Sequence, residues 1–181
     1  MSTIHTALTT WEELLQLPDA EDAIHYELHD GEVVAVPSPK PIHVYIQNLL
    51  VHWLTMAAEG QGSAAQEFPY RPALNLQFWY ADVAYLPNED WEALRTQEYP
   101  VYAPPLLIEV LSPSNRPAKI QRQRLAAFSG GTREFWVVDP VGQTIEVSLP
   151  GSASVIYTVE DLVPVTVLPG AAFPVRKLFQ S

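Results

Sequence analysis

The chain has 181 residues, 48% of them apolar, which is enough for a folded core and too many for a disordered chain. It has no cysteine, which excludes disulfides and zinc–thiolate sites. Its 21 acidic against 10 basic side chains leave a net charge of −11, which argues against a broad electrostatic grip on nucleic acid but leaves room for a local grip bridged by a metal. The stretch "MSTIHTALTTWEELLQL" lacks the basic start and apolar run of a signal peptide, and no apolar run approaches the ~20 residues of a membrane span. A cytoplasmic protein with no membrane partner is therefore expected.

Thr10-Trp11-Glu12-Glu13 has the pattern of a capping box and predicts a first helix that ends near Pro18. "YELHDGEVVAV" predicts a hairpin, with Tyr26–Leu28 and Glu32–Val36 flanking His29-Asp30-Gly31. Apolar residues at Ile42, Ile46, Leu49, Leu50, Trp53 and Leu54 recur with the helical period, and Gly60 is a stop for that helix. "AAQEFPYRP" carries Pro69 and predicts an edge or short strand. In "LNLQFWYADVAYLP" the segment Ala81–Leu86 is apolar enough for a central strand, and "NEDWEAL" suits a short turn of helix. The strand "PPLLIEVL" precedes a helix from about Pro117 to Phe128, capped by Ser114 or Asn115 and ended by Gly130-Gly131. "REFWVVDP" and "TIEVSL" predict a hairpin around Pro140-Val141-Gly142, and "SVIYTV" and "VTVLP" two more strands. The succession predicts an α+β or α/β fold with a mixed sheet packed by helices.

Two acids stand out against this pattern. Glu109 interrupts Leu106-Leu107-Ile108 and Val110-Leu111, and Asp82 interrupts Tyr80-Ala81 and Val83-Ala84-Tyr85-Leu86. A carboxylate inside an apolar strand is costly unless it is paired, protonated or bound to a metal. Two on neighbouring strands repel unless a cation lies between them, and a divalent metal with oxygen ligands answers that need. The ordinary alternative is that Glu109 ends its strand facing solvent or pairs with Arg133 or Arg116. Glu27 reads by itself as an exposed strand residue, and His43 as a proton carrier or a helix-start residue. Five of the ten bases, Arg116, Lys119, Arg122, Arg124 and Arg133, follow Glu109 closely.

The segments "YELHDGEVV", "SPKPIHVYIQNLL", "ADVAYLP", "PPLLIEVLSPSN" and "GGTREFWVVDP" together resemble the large bacterial domain-of-unknown-function family described as putative restriction endonucleases, with a PD-(D/E)XK nuclease-like fold. The resemblance implies a restriction-endonuclease-like core, a mixed β-sheet flanked by helices with extra β-hairpins. The expected organisation is one domain over residues 1–181, with the family-like core at about 10–150 and strands of 151–181 packed on or beside it. It further implies a Mg²⁺-dependent (or Mn²⁺-dependent) endonuclease that hydrolyses phosphodiester bonds in DNA, with Asp82 and Glu109 as metal ligands. The family pattern also has an acid at Glu27 and a histidine at His43.

The sequence departs from that pattern at the lysine. The superfamily position two residues after the second acid is Leu111, and the position on the following helix where this family carries lysine is Gln123. Lys119, one turn earlier on the same helix face, is a substitute cation. Gln123 could instead orient water through its amide without supplying charge, or the site could be degenerate. Ala81 stands where proline is usual, a difference in strand entry and not in chemistry. The competing functions are thus a nuclease, paired as a homodimer to cut two strands, and a degenerate nuclease-fold module that binds nucleic acid or a protein. A third is an assembly protein whose acids form salt bridges and whose Trp79, Tyr80, Trp91, Tyr99 and Tyr102 form an interface.

Overall fold

The computed structural model describes residues 8–18, 25–112 and 117–179. Helix α1 is short, Trp11–Leu14, and the capping box is present: Thr10 and Glu13 exchange side-chain-to-backbone hydrogen bonds. It stops well before Pro18 because Leu15 and Leu17 lie exposed, with no apolar surface to reward a further turn. Strands β1 (His25–His29) and β2 (Glu32–Val36) form the expected hairpin. Asp30 and Gly31 both take positive φ, 52° and 84°, as a two-residue hairpin turn requires.

Helix α2 (Pro41–Ala57) leads through Glu59 and Gly60, both left-handed, into β3 (Gly62–Tyr70), which pairs antiparallel with β4 (Gln77–Pro87). The short helix α3 (Asn88–Leu94) and strand β5 (Leu106–Val110) follow. Helix α4 (Pro117–Ser129) crosses over to β6 (Glu134–Asp139), which runs parallel to β5, and β7 (Thr144–Ser148) and β8 (Val155–Tyr157) continue antiparallel. The expected α4 cap, Ser114 or Asn115, lies outside the described residues, as does Arg116. The eight-stranded sheet has the order β2-β1-β4-β5-β6-β7-β8, with β3 pairing β4 from beside that path. This is a mixed sheet flanked by helices and extended by hairpins, as the family resemblance implies.

Each face of the sheet has its own core. On one, Ile46, Leu50 and Leu54 of α2 pack against Val83, Tyr85, Leu106, Ile108, Trp136 and Val138. On the other, Ile120 and Ala127 of α4 pack against Trp79, Ala81, Ala84, Leu107 and Phe135. Trp79 is fully buried and Trp91 packs beside that core, while Tyr99 meets Trp11 and Phe78 edge to face, so these aromatics serve packing.

"VTVLP" is not a strand. The last strands are β9 (Leu162–Pro164) and β10 (Ala172–Pro174), a separate antiparallel pair, followed by helix α5 (Arg176–Phe179). The intervening segment folds as turns because the buried carboxylate of Glu134 takes two of its backbone N–H groups and a hydroxyl: Thr166 N, Val167 N and Thr166 Oγ1 at 2.8, 3.3 and 2.5 Å, with Trp136 Nε1 at 2.7 Å on the other oxygen. Val163, Phe173, Val175 and Leu178 then close over the α2 core. Glu134→Ala should therefore cost on the order of 3 kcal/mol, since it orphans several buried donors at once. Urea denaturation measures this, and a loss below about 1 kcal/mol would show that the turn holds without the carboxylate.

Candidate active site

The site forms where the β4 ladder forks. Gln77–Phe78 pair with β1, and Val83–Tyr85 pair with β5; between them Trp79–Ala81 pair with β3 alone. Pro69 faces Tyr80 and has no N–H to offer it. The free backbone groups are met by side chains instead. Tyr80 N–H donates to Glu27 Oε1 at 3.2 Å, and Tyr80 C=O accepts from Gln123 Nε2 at 3.3 Å. Val110 N–H donates to Asp82 Oδ2 at 2.6 Å, and the Asp82 N–H donates to the Glu109 carboxylate.

Strand alternation also slips here. Trp79 and Ala81 face the α4 core, yet Val83 and Tyr85 face the α2 core. β3 slips in step, Ala64 lying on the α2 side and Phe68 and Tyr70 on the α4 side. Between the pairs Gln66↔Val83 and Phe68↔Ala81 sit Glu67 and Asp82, and Glu67 carries a left-handed φ of 49°. That conformation costs a non-glycine residue of order 1–3 kcal/mol, and such strain concentrates at functional sites.

On the α2 side, His43 Nε2 lies 2.9 Å from Asp82 Oδ1. Gln47, one helical turn further, donates from Nε2 to Glu67 Oε1 at 2.6 Å and to Asp82 Oδ1 at 3.2 Å. Burial would lower the His43 pKa, but the Asp82 hydrogen bond and the charges of Asp82 and Glu67 raise it. Burial and neighbouring Asp82 raise Glu67, against the opposing Gln47 bond. On the α4 side, Gln123 Nε2 donates to Glu109 Oε1 at 2.7 Å. Burial, then the nearby Asp82 charge, push Glu109 well above the carboxylate range. Tyr70 sets its buried hydroxyl against the Gln123 amide, and desolvation holds it far above its usual range.

Lys119 Nζ lies 2.9 Å from Glu27 Oε2, an oxygen that His29 Nε2 also reaches at 2.8 Å. Burial opposes the ionisation of both partners. The His29 bond and Lys119 outweigh it to lower Glu27, and the attraction of Glu27, Glu109 and Asp82 outweighs it to raise Lys119. Arg122 and Arg124 point elsewhere, to Glu32 at 3.9 Å and Glu146 at 2.9 Å.

The six site residues read from the sequence, Glu27, His43, Asp82, Glu109, Lys119 and Gln123, therefore gather around the β4 fork. Glu27 is buried, not exposed, and among the described residues Glu109 bonds Gln123. Sequence reasoning missed Glu67, Gln47, His29 and Tyr70. Gln47 had a signal, its place four residues after His43 on one helix face; Glu67 had none, because its role depends on a backbone conformation.

Three carboxylates, Glu27, Asp82 and Glu109, thus act on Lys119, with Glu67 beside Asp82, a concentration of acids that oxygen-binding divalent metal would suit. A mixed sheet that opens to gather acids from four strands, with a cation from the crossover helix, defines a nuclease-fold protein. A crystal structure of a "putative nuclease belonging to DUF820" from Anabaena variabilis ATCC 29413 has the same fold, with a TM-score of 0.80 and 24% identity over 93% of this chain and 96% of that one. The chain belongs to the Uma2 family, described as "Putative restriction endonuclease", whose model matches residues 11–176. No match is found among curated proteins. No helix among the described residues is long and apolar enough to cross a membrane.

Glu109→Gln gives a test of the electrostatics. A carboxyl whose pKa is raised by folding stabilises the native state at low pH and loses that contribution as pH rises through its folded value. With EDTA present, the stability of Glu109→Gln relative to the native chain should therefore increase from pH 5 to pH 8. A pH-independent difference in thermal melts would show that Glu109 is not held protonated by its surroundings.

Proposed function

We propose that this chain is a divalent-metal-dependent endonuclease that hydrolyses phosphodiester bonds in DNA, acting through Asp82, Glu109 and Lys119. The observation that carries the reading is the Lys119–Glu27 ion pair. It brings a cation from α4 up to the fork beside Glu109 and Asp82, although the family's lysine position is Gln123. Asp82 and Glu109 would hold Mg²⁺ or Mn²⁺. When bound, the metal would polarise a phosphoryl oxygen and help neutralise charge on the cleaved ester.

The protein's own groups have distinct tasks in this reading. Glu27 fixes Lys119 and leaves it as the nearby positive charge for a scissile phosphate. Gln123 cannot supply charge; its amide orients the Glu109 carboxylate and keeps α4 in register with Tyr80. His43 lies against Asp82 Oδ1 on the α2 side and positions that carboxylate. A homodimer would place two such sites on opposite strands of a duplex. One observation favours a second reading, a nuclease-fold module that binds nucleic acid or a protein without turnover: the group touching Glu109 is a neutral amide.

Plasmid cleavage with Mg²⁺ or Mn²⁺ separates the two. The native chain should nick supercoiled DNA, and Glu109→Ala and Lys119→Ala should each lose on the order of 10²-fold or more, as when a charge-stabilising donor is removed. The exchanged pair Lys119→Gln with Gln123→Lys should recover cutting that Lys119→Gln alone loses. If the native chain is inert and only Gln123→Lys cuts, the non-catalytic reading is correct.

A further inference from the structure

We infer that His43, Glu67 and Asp82 form a metal seat of their own on the α2 side of the sheet, one that takes a divalent transition metal such as Mn²⁺ or Zn²⁺ in preference to Mg²⁺. Each of the three offers a ligand atom, and these atoms lie within 4.8 Å of one another. They come from three separate elements, α2, β3 and β4, so their convergence is made by the fold and not by local sequence. The His43 and Asp82 side chains are 13% and 18% exposed, which leaves them reachable but largely stripped of water.

The donor set decides the class of metal. Mg²⁺ prefers an all-oxygen shell and keeps most of its waters, whereas one imidazole with two carboxylates suits first-row transition metals. The support around the donors has the form found behind metal ligands. Gln47, only 1% exposed, bonds both carboxylates through one amide nitrogen, and Val110 N–H holds the far oxygen of Asp82. Glu67 needs its left-handed backbone to point here at all. Glu109 belongs to the opposite face, where Leu107 of its strand packs under α4 and Gln123 holds its carboxylate. The seat is thus separate from Glu109 and shares only Asp82 with the proposed catalytic centre. It deepens the metal-dependent reading above, but binding is measured without turnover, so failure of cleavage and failure of the seat are distinguishable.

The probe is Mn²⁺ on the full chain, followed by calorimetry and by electron spin echo modulation, which reports a nitrogen directly bonded to the ion. The native chain should bind Mn²⁺ with an imidazole-nitrogen modulation that a large excess of Mg²⁺ does not remove. His43→Ala should abolish the modulation, and His43→Ala and Glu67→Gln should each weaken binding by about 10-fold or more. Glu109→Gln should keep the modulation. The native-chain spectrum needs no variant, so a misfolded mutant cannot decide the result. Absence of Mn²⁺ binding, binding without nitrogen modulation, modulation that persists in His43→Ala or vanishes in Glu109→Gln, or ready displacement by Mg²⁺ would each overturn the inference.

Discussion

The candidate site depends on the unladdered backbone of β4 at Tyr80. A buried peptide group without a partner costs about as much as a lost hydrogen bond, so the fork between β1 and β5 is tolerable only if something fills it. Glu27 takes the N–H of Tyr80 and Gln123 serves its C=O. These are structural duties, and they place an acid from β1 and an amide from α4 on the same peptide. The hydrogen bonds that repair the sheet also assemble the candidate site.

The same economy explains why Gln123 suits its position. A glutamine can donate from its one amide nitrogen both to Glu109 and to Tyr80 C=O. With a neutral group there, the positive charge that limits repulsion among Glu27, Asp82 and Glu109 comes from one turn away, and Lys119 provides it. Glu27 is thereby committed: one oxygen holds Tyr80, the other holds His29 and Lys119. In the proposed function its part is to position the lysine, and this separates it from the metal-holding part proposed for Asp82 and Glu109.

Much of this was legible in the sequence because the anomalies were strong. An acid in an apolar strand stands out, so Asp82 and Glu109 were visible, and helical spacing put Lys119 and Gln123 on one face. The hairpin at Asp30-Gly31 and the helix at Trp11–Leu14 carried turn and capping signals that local physics honours. Other features are products of tertiary contact. "VTVLP" has strand composition, but Glu134, distant in sequence, captures its amides. Glu67 looked like any polar residue of an edge strand, and only the slipped alternation turns it toward Asp82.

That slip has a consequence for the charges. In a regular antiparallel pair, residues facing each other across the ladder share a face, as Val83 and Ile108 do in the α2 core and Ala84 and Leu107 in the α4 core. Continuing that register would set Asp82 beside Glu109 on the α4 side, two buried carboxylates with one lysine between them. The left-handed turn at Glu67 and the parallel displacement of β4 carry Asp82 through to His43 and Gln47 instead. The acids stay close enough for Asp82 to raise Glu109, but each gains its own polar partners. The strain at Glu67 therefore has a return: it divides one intolerable acidic pair between two faces of the sheet, and a substrate or cation at the fork meets charge from both.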